Sequence, residues 1–385
     1  MFKLRNKTII ILSPQAWGKM HISKHHYAIE LTKRDNIVYF FNPPDTNHHT
    51  GKVKIEKEKN NNNLYIVNYS FIFPYNIKFH IRKLFDLLLK PHLNYILKKI
   101  NRNIDVVWNF DTNLFSDLNI FGNNITKIYH PVDNITGKHQ KSLIDSSDYI
   151  FTVSEVIKND LQKANNSKEI HLINHGVSDY FLSSSKKSSP KNNKKKIKTC
   201  FLGNLLVASL DRKITKRIIS ENTEVEFIFI GAYYSGNLGG TTDVESKDFI
   251  SFLKNSDNVI LKGAMHPKDA VKELQKADIL MVLIDPMKDI NKGSNSHKII
   301  EYLSTGKVIV SNHISSYKDK PGLIEMVDEM TNEKLPELFI KVKNNLNYYN
   351  NTEMQQKRID YANDNTYEKQ ISRIENIIKN TDKIR

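Results

Sequence analysis

Lys298 and Glu301 stand three residues apart in the stretch SNSHKIIEYLSTGKVIVSN, Ser294 to Asn312, ahead of Gly306 and a run of β-formers. At that spacing both side chains share one face of a helix. With Ser294 to Ser296 as its cap, the amides of the first turn carry a partial positive charge of about half a unit. Lys298 adds a mobile point charge for the same anion. A carboxylate nearly one turn further on can accept hydrogen bonds from two neighbouring hydroxyls. A helix terminus with Ser296, a lysine and a glutamate in that order suit a nucleoside diphosphate, with the diphosphate on the cations and the ribose on Glu301. The competing reading is an exposed ion pair worth about 0.2–0.5 kcal/mol.

Such residues need a scaffold that brings loops together. Apolar runs recur with helical segments between them: TIIILSP, NIVYFFNPP, LYIVNYS, IDVVWNF, ITKIYHPV, DYIFTVS and IHLINHGV, then IKTCFLGN, VEFIFIGA, NVILKGA, DILMVLID and KVIVSN. Short apolar runs bounded by turn residues and alternating with helices predict parallel strands covered on both faces. The expected fold class is α/β, with two doubly wound Rossmann-like domains facing a central cleft and helices closing the C-terminus. The expected boundaries are 1–182 for the first domain, 183–196 for a basic linker, 197–350 for the second domain and 351–385 for the closing helices. Ser23 is a candidate N-cap for the helix SKHHYAIELTKR, and Pro267 sits in the first turn of HPKDAVKELQKAD. In open parallel sheets ligands gather beyond the carboxyl ends of strands. That singles out Gly203 and Asn204, Gly231 to Tyr233, Gly263 to His266, and Asp285 to Glu301 in the second half. SPQAWGKMHISKHH, NFDTN and YHPVDN face them from the first.

The bulk composition fits this frame. At 385 residues the chain exceeds the size at which one core keeps growing, so two domains are expected. A hydrophobic share of 39%, with 18 Phe and 17 Tyr, supplies real cores and argues against disorder. No apolar run approaches the roughly 20 residues that span a bilayer, and MFKLRNKTIIILSP reads as a first strand, not a signal peptide. A single cysteine, Cys200 in IKTCFLG, leaves no internal disulfide or multi-cysteine metal site and points to a buried thiol in a cytoplasmic protein. The net charge of +15 asks for an anionic partner: nucleic acid, an anionic membrane face or a phosphorylated substrate. Much of the excess lies in KKSSPKNNKKKIK, Lys186 to Lys198, which reads as a solvated linker.

The chain resembles nucleotide-sugar glycosyltransferases of the GT-B fold, in particular relatives of retaining glycosyltransferase family 4. KIIEYLSTGKVIVSN and the preceding ADILMVLIDP carry the most specific likeness. SSDYIFTVSEVIKNDL with IHLINHGVSDYF is similar to the end of the family's N-terminal domain, and YANDNTYEKQISRI to its closing helix. WGKMHISKHHYAIELTKR with NIVYFFNPP resembles the opening of a subgroup that builds bacterial surface polysaccharides. The resemblance implies that Glu301 binds the ribose hydroxyls, that Lys298 lies near the diphosphate, and that Gly203, Gly231 and Gly263 let backbone approach the donor. Asn204, Tyr233, His266 and Ser296 join that side, with Arg212, Lys213 and Lys216 as the basic residues after the first strand of the donor domain. It implies no cofactor and no obligatory metal, with UDP favoured over GDP as the donor nucleotide and oriented positive charge stabilising the leaving diphosphate. Gly293 stands eight positions before Glu301, where the family's signature carries another glutamate.

Across the cleft, His130 and Asp133 in YHPVDN are the candidates for placing the sugar and the acceptor hydroxyl. A loop histidine satisfied by backbone and a turn-making aspartate are the competing readings. Trp17, Gly18, Lys19, His21 and Asp111 are candidates for the acceptor pocket. His25 and His26 raise metal binding, but adjacent helical residues point to different faces. In Tyr75 to Arg102, Ile77, Ile81, Leu84, Phe85 and Leu88 share a face flanked by Lys78, Arg82, Lys83 and Lys90, and Leu93, Ile96, Leu97 and Ile100 continue after Pro91. A core helix with a solvated basic side and a helix lying on anionic lipid at the inner face of the cell membrane both fit.

The function expected is sugar transfer from a nucleoside diphosphate sugar to a glycan or lipid-linked glycan of the bacterial envelope. A nucleotide-sugar epimerase of the same fold, a noncatalytic nucleotide-sugar binder and a basic nucleic-acid binder are the alternatives. Nucleic acid is disfavoured because no helix-turn-helix, RNP or zinc-finger pattern appears. A dinucleotide oxidoreductase is weaker still, because the glycine fingerprint is missing from SPQAWGKM and GNLLVASL.

Overall fold

The computed structural model describes residues 3–18, 21–134, 140–165, 167–182, 196–234 and 243–382. Lys19 and most of the expected linker, 183–195, lie outside the described residues. The chain divides into two units, Met1–Asn174 with Tyr367–Arg385, and His175–Thr366.

The first unit runs β1 (Thr8–Leu12), α1 (Ser23–Thr32), β2 (Ile37–Phe41), β3 (Val53–Lys57), β4 (Leu64–Tyr69), α2 (Ile77–His80), α3 (Arg82–Ile100), β5 (Val106–Asn109), β6 (Thr126–Tyr129), α4 (Gln140–Ser146), β7 (Tyr149–Thr152), α5 (Glu155–Ala164) and β8 (Ile170–Leu172). Its sheet has the order β3-β4-β2-β1-β5-β6-β7-β8. All neighbours are parallel except β3 and β4. β5 (VVWN) and β7 (YIFT) are buried throughout, which explains why they read as apolar runs up to their last residue. All seven expected strands of this half are present. β3 (VKIEK) was not expected, because an edge strand exposing alternate Lys and Glu has no continuous apolar run to announce it.

The second unit runs α6 (Asp179–Leu182), β9 (Lys198–Leu202), α7 (Arg212–Ser220), β10 (Glu226–Ile230), α8 (Val244–Asn255), β11 (Val259–Gly263), α9 (Pro267–Lys276), β12 (Ile279–Val282), α10 (His297–Leu303), β13 (Val308–Ser311), β14 (Glu325–Met326), α11 (Leu335–Asn344), α12 (Leu346–Tyr349) and α13 (Thr352–Asn363). The sheet order is β11-β10-β9-β12-β13-β14, parallel throughout. Cys200 on β9 is buried, and burial pushes its thiol up to about 12, so it stays protonated and inert.

The last helix, α14 (Tyr367–Asp382), returns to the first unit. Its Ile371, Ile374 and Ile378 join Ile9, Ile11 and Phe40 in one core. Its Glu375 accepts hydrogen bonds from Arg34 Nη1 at 2.9 Å and from the Leu4 amide at 2.6 Å. The expected closing segment 351–385 is thus shared: α13 stays with the second unit, and α14 completes the core of the first. The chain leaves the first unit between Asn174 and His175, ahead of the expected boundary at 182.

Two local expectations change. Ile22, not Ser23, holds the N-cap position of α1, and the His25 ring caps in its place: its Nδ1 accepts from the Ile22 amide at 3.2 Å. On α3 the buried face is Phe85, Leu89, Leu93, Ile96 and Ile100, while Ile81 and Leu84 of the expected apolar face are exposed.

Candidate functional site

Three glycines at strand ends build the centre of the second unit's candidate site. Gly203 follows β9, Gly231 follows β10, and Gly263 ends β11. Backbone bonds stitch them together, with Gly203 N donating to Ile230 O at 2.8 Å and Gly231 N to Gly263 O at 2.9 Å. Gly231 has φ +147°, and a β-carbon there would run into the Gly203 carbonyl. A β-carbon on Gly203 would lie 2.5 Å from Lys298 Nζ, which also sits 5.6 Å from the centre of the Phe201 ring. The lysine from α10 therefore reaches over the end of β9 into space that a larger residue at 203 would fill.

Lys298 and Glu301 are half-buried, and the protein packed around them desolvates both charges. Burial pushes the Glu301 carboxyl up to about 8, with Lys298 pulling the other way. Burial also lowers the Lys298 amine, against the pull of Glu301 and Asp289. The pair forms no ion pair within 4.0 Å, so the surface salt-bridge reading does not describe it. α10 is fixed at its far end, where Gly306 (φ +73°) donates to the Leu303 carbonyl at 3.0 Å. There the buried Arg358 of α13 donates to the carbonyls of Gly306 at 3.1 Å and Tyr349 at 2.8 Å. At the near end Ser296 holds the N-cap position without a side-chain capping bond.

Asp289 is a member of this cluster that the sequence reading passed over. It accepts from the Gly293 amide at 2.9 Å and acts electrostatically on Lys298. No spacing rule marks it, because it lies in a loop. Gly293 has φ +61°, and a β-carbon there would stand 2.6 Å from the His313 carbonyl, so a side chain at this position would be strained and crowded.

The other expected donor-side residues make contacts of their own. Arg212 is buried on α7 and turns to α8: its Nη2 donates to Ser246 Oγ at 2.9 Å and to the Val207 carbonyl at 3.2 Å, and Nη1 lies 3.3 Å from Glu245. Arg212 thus straps α7 to α8. Lys213 pairs with Glu333, and Lys216 lies over Phe252. Asn204 makes a turn, its Oδ1 accepting from the Leu206 amide at 2.9 Å. His266 is the N-cap of α9, with its ring nitrogen accepting from the Lys268 amide at 3.3 Å. Tyr233 lines a cavity of about 280 Å³ with Leu206, Ser246, Lys247, Ile250, Ser251 and Lys254.

In the first unit the ends of β5 and β6 carry Asp111 and Asp133. Asp111 Oδ1 accepts from the amides of Asn113 at 2.7 Å and Leu114 at 3.1 Å, which makes it a turn former. Both carboxylates act on Lys24 at the start of α1, whose amine is almost fully buried and lowered by desolvation. Lys24 was not singled out from sequence, where it reads as an ordinary helix-start lysine. His130 is wholly buried. Its ring stacks on Phe110 at 5.1 Å, and its Nδ1 accepts from the Trp108 indole at 3.3 Å. None of its surface is exposed, and the ring packs within the first unit.

Trp17 packs on His21 at 4.8 Å and Phe40 at 5.0 Å, and Gly18 beside it is exposed with open space around its α-carbon. His25 accepts from Ile22 and sets its Nε2 3.1 Å from the Ala16 carbonyl, so both ring nitrogens are occupied. Among the described residues no three His, Cys, Asp or Glu side chains converge as metal ligands, and no helix is long and apolar enough to cross a membrane.

No family model and no curated protein matches the sequence. Solved structures do. An α,α-trehalose-phosphate synthase (UDP-forming) from Burkholderia vietnamiensis superposes with a TM-score of 0.69 at 9% identity, covering 97% of each chain. Sucrose-phosphate synthase from Thermosynechococcus elongatus gives 0.68 at 8% identity, covering 98% of this chain and 100% of its own. The chain has the GT-B fold. A third GT-B structure, Anabaena HepE in complex with UDP and glucose, gives 0.66 at 11% identity over 96% of this chain and 99% of its own. At such identities the likeness speaks for architecture, and the chemistry rests on this chain's own residues.

Proposed function

We propose that this protein is a glycosyltransferase that moves a sugar from a nucleoside diphosphate donor, UDP before GDP, to a glycan or lipid-linked glycan of the bacterial envelope. It would act on the cytoplasmic side, with retention at the anomeric carbon and without a divalent cation. The observation that carries the reading is the Lys298 amine reaching over Gly203 beside the water-poor carboxyl of Glu301. A diphosphate arriving there supplies the counter-charge that burial denies Lys298, and ribose hydroxyls supply hydrogen bonds to Glu301. As the bond between sugar and diphosphate stretches, negative charge grows on the leaving oxygen, and an ammonium already in place stabilises it without reorganisation. In the first unit Asp133, held near Lys24, is the remaining candidate for orienting the acceptor hydroxyl. The Burkholderia synthase is UDP-forming and the Anabaena structure is a complex with UDP, which supports the choice of nucleotide.

The test is a thermal-shift screen of UDP, GDP, CDP and ADP on the wild type and Glu301→Ala. UDP is expected to raise the wild-type melting temperature, and the substitution to weaken that rise. Stabilisation by none of the four would remove the basis of the proposal. Donor consumption that requires an added acceptor separates transfer from epimerisation. Activity that survives a chelator supports independence from metal.

A further inference from the structure

Helices α2 and α3 carry a surface that sugar transfer does not use. Phe79 and Leu87 are 70% and 69% exposed, with Ile81, Leu84 and Tyr95 also open to solvent. Along α3 the solvent side presents Lys83, Leu84, Leu87, Lys90, Tyr95 and Lys98, whose spacing forms one stripe. The core is met by other residues of the same helix, Phe85, Leu89, Leu93 and Ile96. The helix is thus apolar on two sides, and packing accounts for only one of them. Exposed apolar residues gathered on one helix face mark a contact surface.

The charges on the two helices are mainly positive, although the exposed Asp117 shares a cavity with Lys90. Asp86 is the sole acid between Phe71 and Ile100, and it is occupied by Arg82 Nε at 2.9 Å and Ser116 Oγ at 2.8 Å. Arg82 is likewise fixed, donating to the carbonyls of Asn113 and Leu114 at 2.9 and 2.8 Å. Lys83, Lys90 and Lys98 form no ion pair with described residues. A second copy of the chain, docked face to face, would set these lysines against themselves. A cavity of about 470 Å³ beside α3, lined by Asp86, Leu89, Lys90, Phe115 and Asp117, takes in none of Phe79, Leu84 and Leu87. A bilayer of anionic lipids needs no pocket and offers diffuse negative charge together with a hydrocarbon boundary.

We propose that this face of α2 and α3 lies on an anionic lipid bilayer, with Phe79, Leu84 and Leu87 entering the boundary between headgroups and acyl chains and Lys83, Lys90 and Lys98 reaching headgroup phosphates. The inference stands independently of the donor site, and the net charge of +15 adds long-range attraction to the same surface.

Co-sedimentation of the full chain tests it, with vesicles of phosphatidylcholine plus phosphatidylglycerol against vesicles of phosphatidylcholine alone. Binding is expected only to the anionic vesicles and is expected to weaken with salt. Attraction of about fivefold per basic side chain predicts that Lys83→Glu/Lys90→Glu lowers partitioning at least tenfold. Phe79→Ser/Leu87→Ser is expected to lower it about tenfold by removing the inserted apolar area. Lys318→Glu/Lys357→Glu makes the same change in net charge at exposed positions of the second unit and is expected to leave binding within about twofold. All three double variants should keep the wild-type melting temperature and response to UDP. The proposal is overturned if anionic vesicles bring down no protein, or if the control pair loses as much binding as the patch pair. It is equally overturned if light scattering shows a dimer that Leu87→Ser dissolves while vesicle binding stays unchanged.

Discussion

The Lys298 amine stands 2.5 Å from the point that a β-carbon on Gly203 would occupy, so one methyl group at 203 and the ammonium cannot both keep their places. A lysine tip is free to swing aside, whereas a backbone carbonyl is not.

That difference separates two neighbouring substitutions. Gly203→Ala is expected to displace Lys298 and reduce UDP-induced stabilisation at least tenfold in affinity, with a melting temperature within about 3 °C of wild type. Gly231→Ala drives a β-carbon into the Gly203 carbonyl at a backbone angle that favours glycine, so it is expected to destabilise the fold by about 3 kcal/mol, roughly 6–12 °C. Calorimetry with and without UDP distinguishes them, and equal melting losses in both variants would contradict the geometry.

Glu301 gives a pH dependence with a definite sign. Its folded carboxyl titrates at about 8 against an ordinary 4.5, so the folded state holds a proton that the unfolded chain has already released. The associated stability is present below pH 4.5 and is lost as pH rises toward 8. Glu301→Gln cannot titrate. Its melting temperature relative to wild type should climb steadily between those two pH values, and a flat difference would show a carboxyl in contact with bulk water.

The first unit should respond to acid in the opposite sense. Burial lowers His25 to about 4 and His26 to about 3, from 6.5 in the unfolded chain. Depressed values mean that stability is complete above 6.5 and falls as pH drops below it, by about 2 kcal/mol per ring between pH 6.5 and 5. His26 stacks on Tyr367 at 5.1 Å, so His26→Phe should keep the ring packing and shallow the acid limb of a melting-temperature profile.

Arg212 offers a contrast with Lys298, since both were read as cations for the donor. Arg212→Ala removes the bonds to Ser246 and Val207 and is expected to destabilise the chain by about 2 kcal/mol while leaving the UDP-induced shift intact. A lost shift in a folded variant would return Arg212 to the donor site.

What the sequence disclosed follows from what each feature depends on. β5, β7, β12 and β13 were legible because strands buried on both faces are apolar at nearly every position, with Asn109, Thr152 and Ser311 as polar ends. β3 and the two-residue β14 lie at sheet edges, where that demand lapses. Lys298 and Glu301 were legible because helical spacing alone puts them on one face. The direction of Arg212 was not, since it depends on Ser246, 34 residues away. His130 looked like a loop residue because its neighbours Tyr27, Trp108, Phe110 and Phe151 come from distant parts of the sequence. Glycines were the reverse case: their place after strands showed where backbone must come close, and Gly231 and Gly263 do adopt positive φ.

The return of α14 to the first unit sets an order on biosynthesis. Ribosomes release the N-terminal sheet long before Ile371, Ile374 and Ile378 exist to cover its α1 side. The half made first is therefore finished last, and until then its exposed flank is a hazard for chaperones to shield. A stop codon or protease cut just before Tyr367 would spare Gly203, Lys298 and Glu301 yet leave the first unit without its lid.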